Sequence, residues 1–251
     1  MNKTNGSATR FSPSQRVQHV LVMSLFIVLA VTGFPQKWAD VGFSRFLVDL
    51  FGGPAAVRFV HRVAGVLFAA LTAVHVGTVV LGLALRRMKA TLIPSRKDFK
   101  DAILQIRYDL GLSEDKPRFD RFDYRQKFEY WGLLMGGAVM ISTGFVLLMP
   151  IVLTRFLPGD VIPISKVAHS NEAMLAFLVI LTWHLFNAHL APGIFPFDRT
   201  IFDGKISLDR MRHEHPLEYE RLFHSTVETK PPAPAAKLPA VAAPAGAAPG
   251  D

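Results

Sequence analysis

Nine histidines and no cysteine define the chemistry open to this chain. His61 and His75 bracket the stretch HRVAGVLFAALTAVH, whose interior apart from Arg62 is apolar or small. At about 100° per residue, positions fourteen apart fall roughly 40° from one another on a helix face. In a left-handed bundle with about 3.5 residues per turn the mismatch almost vanishes. HSNEAMLAFLVILTWH repeats the arrangement from His169 to His184, with a spacing of fifteen. Imidazoles in such surroundings can ligate haem iron, relay protons or hydrogen-bond between helices. The absence of cysteine excludes disulfides, cysteine-ligated iron–sulfur clusters and the CxxCH attachment of a c-type haem.

The elements that carry these rings are membrane spans. Half of the 251 residues are hydrophobic, the net charge is +8 and the mean hydropathy is positive at +0.28. Runs of about 20 mostly apolar residues, enough to cross ~30 Å of hydrocarbon, occur four times. They cover 17–34, 59–85, 128–149 and 167–190. The first lacks a signal-peptide cleavage pattern and reads as a retained span. The basic residues cluster in the arm before span one, the connection between spans two and three, and the segment after span four. By the positive-inside rule both termini and the middle connection are cytoplasmic. The charge is thereby assigned to topology and anionic lipid, and no nucleic-acid partner is expected.

The sequence therefore predicts an all-α, integral membrane four-helix bundle in a bacterial cytoplasmic membrane. Within the middle connection, KDFKDAILQIRYDLG reads as a short amphipathic helix, with Asp98 as N-cap, Gly111 as stop, and Phe99, Ile103, Ile106 and Leu110 on one side. It is expected on the inner membrane surface or against a partner subunit. A single membrane domain spans 10–228, and 229–251 form a Pro/Ala-rich tail expected to be disordered. VTGFP in span one is faintly echoed by STGFVLLMP in span three.

Topology sorts the histidines by depth. His61 and His169 lie in the outer half, on different spans. His75 is ~21 Å deeper than His61 at 1.5 Å per residue, and shares the inner half with His19, His184 and His189. Two b-type haems, each held by two imidazoles from facing helices and stacked about 20 Å apart, match these two tiers. Gly65, one turn from His61, and Gly77, two residues after His75, lack side chains and could admit a macrocycle edge, and Arg16 and Arg62 could reach haem propionates from the membrane boundaries. A zinc site fits poorly, because the rings are scattered across helices. His184 and His189 differ by about 140° on a helix and cannot both face one haem. Geometry alone leaves His19, His75 and His184 open for the inner pair. His213, His215 and His224 fall in the cytoplasmic segment.

The stretches RFSPSQRVQHVLVMSLFIVLAVTGFP, RFVHRVAG, FDRFDYRQKFEYWGLLMGGAVMISTG, HSNEAMLAFLVILTWHLFNAHL and HEHPLEYERL resemble, in order, the membrane dihaem cytochrome b family. That family includes the gamma subunit of formate dehydrogenase and the cytochrome b subunit of nickel–iron hydrogenase. The resemblance runs from about Arg10 to Leu222. It implies an inner haem on His19 and His184, an outer haem on His61 and His169, and a quinone site near the inner haem, for which Asp123 and Arg125 of FDYRQK are the candidates. His75 and His189 are additional to the formate dehydrogenase pattern. His75 is an alternative inner ligand, a ligand to a third haem or a quinone-side proton carrier, and His189 is a quinone-side candidate. The spacing of fifteen on span four, where the resemblance implies fourteen, calls for a bulge or tilt. Glu172, one turn after His169, could tune the outer site or accept a proton.

The function expected is transmembrane electron transfer through two b haems. It would link menaquinone or ubiquinone to an extracytoplasmic partner, either an iron–sulfur subunit or a multihaem c-type cytochrome. A haem-free proton-coupled transporter and a structural anchor recruiting partners through the basic loop and HEHPLEYERL are the competing readings.

Overall fold

The computed structural model describes residues 6–192 and 194–223; His224 and the tail from 229 lie outside them. A short strand β1 (Ser7–Thr9) leads into α1 (Pro13–Lys37), followed by α2 (Gly42–Leu50), α3 (Pro54–Ala84), α4 (Arg96–Asp109) and α5 (Tyr124–Leu148). After the single turn α6 (Pro150–Leu153) comes α7 (Val161–Leu178), which continues as π-helix through Val179–His184 and Phe186–Leu190. The described residues end in α8 (Thr200–Asp203), β2 (Lys205–Ser207), α9 (Leu208–Glu214) and α10 (Pro216–Phe223). Helices α1, α3, α5 and the continuous α7 stretch are each long and apolar enough to cross a membrane.

Each spanning helix begins ahead of its apolar run, and at α1 and α5 a polar capping box marks the start. Ser12 Oγ accepts from Gln15 N–H at 3.3 Å, while Gln15 Oε1 accepts from Ser12 N–H at 2.9 Å. Asp123 and Gln126 form the same reciprocal box at the start of α5, at 2.9 and 3.2 Å. Such boxes satisfy two of the four free amides at a helix start. Helix α4 corrects one sequence reading. Ser95 is its N-cap, and Asp98 is the N3 carboxylate that accepts from Ser95 N–H at 2.6 Å. Asp98 also accepts from Lys127 Nζ at 2.8 Å, tying α4 to α5. Gly111, with φ +70°, stops α4 as the sequence implies.

Little of the apolar surface is buried. Leu21, Ile27, Leu67, Val80 and Leu81 on the spans are all exposed, as befits helices whose solvent is hydrocarbon. The apolar side of α4 (Phe99, Ile103, Ile106, Leu110) is exposed as well, and so are Phe43 and Phe46 on α2. The spans pack as two hairpins, α1 with α3 and α5 with α7, with far less direct packing between the hairpins. A slot therefore runs between them.

Most of the buried apolar side chains among the described residues (Phe119, Ile206, Met211) sit instead in a cap over the end of the bundle where α1 begins. There β1 pairs antiparallel with β2, Ser7 opposite Ser207. Arg10 reaches Glu218 at 2.6 Å, and Arg121 reaches the other oxygen of Glu218 at 2.8 Å. His215 donates from Nδ1 to the Asp120 carbonyl at 2.8 Å, and its Nε2 accepts from Arg10 Nη2 at 3.1 Å. Arg221 pairs with Asp120 at 2.6 Å, and Arg118 with Glu220. The segment HEHPLEYERL thus closes on the chain's own N-terminal arm and middle connection. Burial draws the Arg10 guanidinium down to about 10 against the opposing pull of Glu218. Burial, followed by the Arg10 charge, lowers the pKa of His215, so the ring is neutral between its two partners.

Candidate haem-binding site

Two pairs of imidazoles face one another across the slot between the hairpins. Nearer the chain termini, His19 of α1 and His184 of the π-helical segment have ring centres 6.3 Å apart and planes at 36°. In the far half, His61 of α3 and His169 of α7 are also 6.3 Å apart, with planes at 76°. Metal–imidazole nitrogen bonds of about 2.0 Å place the ring centres of two opposed ligands about 6 Å apart. Each pair is spaced to hold one iron between its rings.

The far pair is held by a device that occurs twice. Thr32 donates its hydroxyl proton to the Val28 carbonyl at 2.6 Å, so its oxygen must accept from His61 Nδ1–H at 2.9 Å. Thr143 likewise donates to Val139 at 2.6 Å and accepts from His169 Nδ1–H at 3.0 Å. A proton fixed on Nδ1 leaves the Nε2 lone pair of each ring free for a metal. The next residue is glycine in both places. A Cβ on Gly33 would stand 3.1 Å from His61 Cε1, and one on Gly144 would stand 3.3 Å from His169 Cε1. These are the glycines that make room for the rings. A Cβ on Gly65 or Gly77 would meet nothing within 4 Å, so those two glycines border open space and not the imidazoles. The echo between VTGFP and STGFVLLMP is thus a structural repeat. Its signal in the sequence was the Thr-Gly dipeptide at matching depths in two spans.

The near pair is built differently. His184 Nδ1 lies 3.0 Å from Glu129 Oε2 on α5. His19 Nδ1 is buried without a hydrogen-bond partner, and so is Arg16 Nε, one turn earlier on α1. Two buried polar atoms lacking partners on one face of one helix suit a bound group that brings its own acceptors, such as a haem carboxylate. The spacing of fifteen between His169 and His184 is taken up by the π-helix. Its wider turn absorbs the surplus residue and returns His184 to the face that His169 occupies.

The other sequence candidates are placed as follows. His75 has both nitrogens engaged, Nδ1 with Gln18 Oε1 at 2.8 Å and Nε2 with the Tyr130 hydroxyl at 3.1 Å, and its ring belongs to neither facing pair. His189 accepts from Asp198 N–H at 3.2 Å and stacks on Phe197 at 4.4 Å. Asp123, only 6% exposed, is committed to capping α5 and to Arg125 at 2.7 Å. Arg125 lines a cleft of about 360 Å³ together with Tyr124, Gln105, Trp183 and Asn187; His184, next in sequence to Trp183, does not line it, nor do Asp123 and His189. Arg62 is exposed next to His61. The Glu172 carboxylate points at Gly136 of α5, in space a side chain there would occupy. Among the described residues no three histidines or carboxylates converge as a metal cluster.

A four-span helical bundle whose slot is lined by facing imidazoles from separate hairpins is the framework of a membrane b-type cytochrome. Comparison with known proteins agrees: the model of the prokaryotic cytochrome b561 family matches residues 10–194, and the chain belongs to that family. It is accordingly a multi-pass membrane protein of electron transfer that binds haem b. The match ends before β2, α9 and α10, so the last part of the cap lies beyond the family's model. No curated protein matches the chain.

Proposed function

We propose that the chain carries electrons across a bacterial cytoplasmic membrane through two b haems, one on His19 and His184 and the other on His61 and His169. The observation that carries this reading is the equal 6.3 Å separation of the two ring pairs. Bound haem supplies the one-electron chemistry; the residues present the ligands, exclude water and orient the rings. Arg16 would meet a propionate of the near haem. Arg62 is the corresponding candidate for the far one. His75, with both nitrogens in hydrogen bonds, is left outside the ligand set.

The positive-inside distribution of Lys and Arg puts the termini and α4 on the cytoplasmic side. The near tier is then the inner one. The cleft lined by Trp183, with Arg125 and Asn187 at its wall, suits the carbonyl oxygens of a menaquinone or ubiquinone head group, with cytoplasmic proton exchange. The far tier would exchange electrons with an extracytoplasmic iron–sulfur subunit or multihaem cytochrome c. The exposed apolar side of α4 would rest in the inner leaflet.

The test is haem stoichiometry on detergent-purified, folded protein, read by pyridine haemochrome and a reduced-minus-oxidised spectrum. Two b haems per chain are expected. Three would bring His75 into the ligand set. None, with adequate haem supply, would overturn the proposal in favour of a haem-free transporter.

A further inference from the structure

The Thr-Gly device acts on one tier alone. Each hairpin delivers one far ring to the slot and orients it with a threonine of its own: Thr32 holds His61 within the α1–α3 hairpin, and Thr143 holds His169 within the α5–α7 hairpin. The two contacts agree in atom type, in length, in the i−4 carbonyl that takes the threonine proton, and in the glycine that follows. Neither near ring has such a partner. His184 meets the Glu129 carboxylate, and His19 Nδ1 meets nothing.

We propose that Thr32 and Thr143 are the positioning residues of the far haem, and that together they set its reduction potential independently of the near one. The inference rests on the reading of His61 and His169 as ligands to one iron. A threonine oxygen accepting Nδ1–H fixes the tautomer, locks the ring plane and makes the Nε2 donor more basic. Greater ligand basicity favours ferric over ferrous iron and lowers the potential. Because both axial ligands are treated alike, the two contributions act in the same sense. The glycines are part of the device, since a methyl group at either position would push the ring away from its threonine.

Thr32→Val and Thr143→Val, singly and together, keep the side-chain volume and remove the acceptor. Thr→Ser at either position keeps it. Purified variants are titrated potentiometrically with optical detection, and the far haem is assigned as the component missing from His61→Ala. Each valine variant is expected to raise the far-haem potential, and the double variant to raise it further. The near haem should stay where it is in the wild type, and serine should restore the wild-type value. Should a valine variant lose the far haem while its serine counterpart keeps it, the same positioning role is supported. Gly33→Ala gives an independent reading, because the displaced His61 ring should alter the ferric spectrum of the far haem only. Far-haem potentials and spectra unchanged in all the valine and alanine variants would overturn the inference. Wild-type protein with fewer than two haems would instead overturn the ligand reading on which it rests.

Discussion

His184 Nδ1 and Glu129 Oε2 lie 3.0 Å apart, joining the π-helical segment of the last span to the second turn of α5. A carboxylate pulls harder on an imidazole N–H than a threonine oxygen does. The near and far tiers therefore sit beside acceptors of different strength. Glu129→Gln retains an acceptor and removes the charge. It is expected to leave the haem content at its wild-type level and to raise the near-haem potential, with the far component unmoved in the same redox titration.

The ring planes make a second distinction. Those of the far pair stand at 76° and those of the near pair at 36°. Ligand planes close to perpendicular give low-spin ferric haem a more anisotropic signal than planes nearer to parallel. Electron paramagnetic resonance of the oxidised protein should show two signals, with the larger maximum g from the far tier. His61→Ala or His169→Ala should delete that signal and one haem. His19→Ala or His184→Ala should delete the other. His75→Ala should delete neither, and loss of a haem from that variant would refute the assignment.

The π-helix over Val179–His184 behaves as a one-residue insertion. Deleting Leu181 restores a spacing of fourteen and lets the segment close into ordinary α-helix with His184 on the same face. Both haems should survive the deletion, as counted by the haemochrome assay. Loss of the near one would show that the wide turn places His184 in some way the shorter helix cannot reproduce.

The cap makes the protein acid-sensitive. Removal of Arg10 leaves Glu218 buried with Arg121 alone, so Arg10→Ala should destabilise the cap by about 3 kcal/mol, the lower end for a broken buried pair. The pKa of His215 is lower in the folded chain than its ordinary value of 6.5. The unfolded state then binds more protons than the folded one between those two values, and stability rises with pH across that window. The contribution is complete above about 6.5 and is lost as the pH falls toward the folded pKa. Thermal unfolding followed from pH 7.5 to 5 should show the melting temperature falling below about 6.5, with a shallower fall in His215→Gln.

Depth is legible in the sequence because it follows from hydropathy and a fixed rise per residue, and so His61 and His169 stand out as two rings at one level, which the structure brings face to face. The near pair could not be chosen in this way. What engages His75 is Gln18 and Tyr130 on two other helices, and no spacing within α3 reveals them. Ser95 was missed as a cap because Asp98, three residues on, has the same propensity and the more conspicuous charge. The nine-residue α2 is too short to announce itself by periodicity. The cap escaped notice because its contacts are non-local: Arg10 and Glu218 are 208 positions apart, and Gly204 accepts from Arg10 N–H across nearly the same gap.

That separation has a consequence for biosynthesis. A ribosome delivers Glu218 208 residues after Arg10, so the β1–β2 pairing must wait for β2 and the Arg10–Glu218–Arg121 lock for α10. All four spans can already be inserted by then. Throughout that interval Arg16, which Gly204 later approaches, is uncovered. The order of synthesis thus keeps Arg16 uncovered until the segment after the last span has been made.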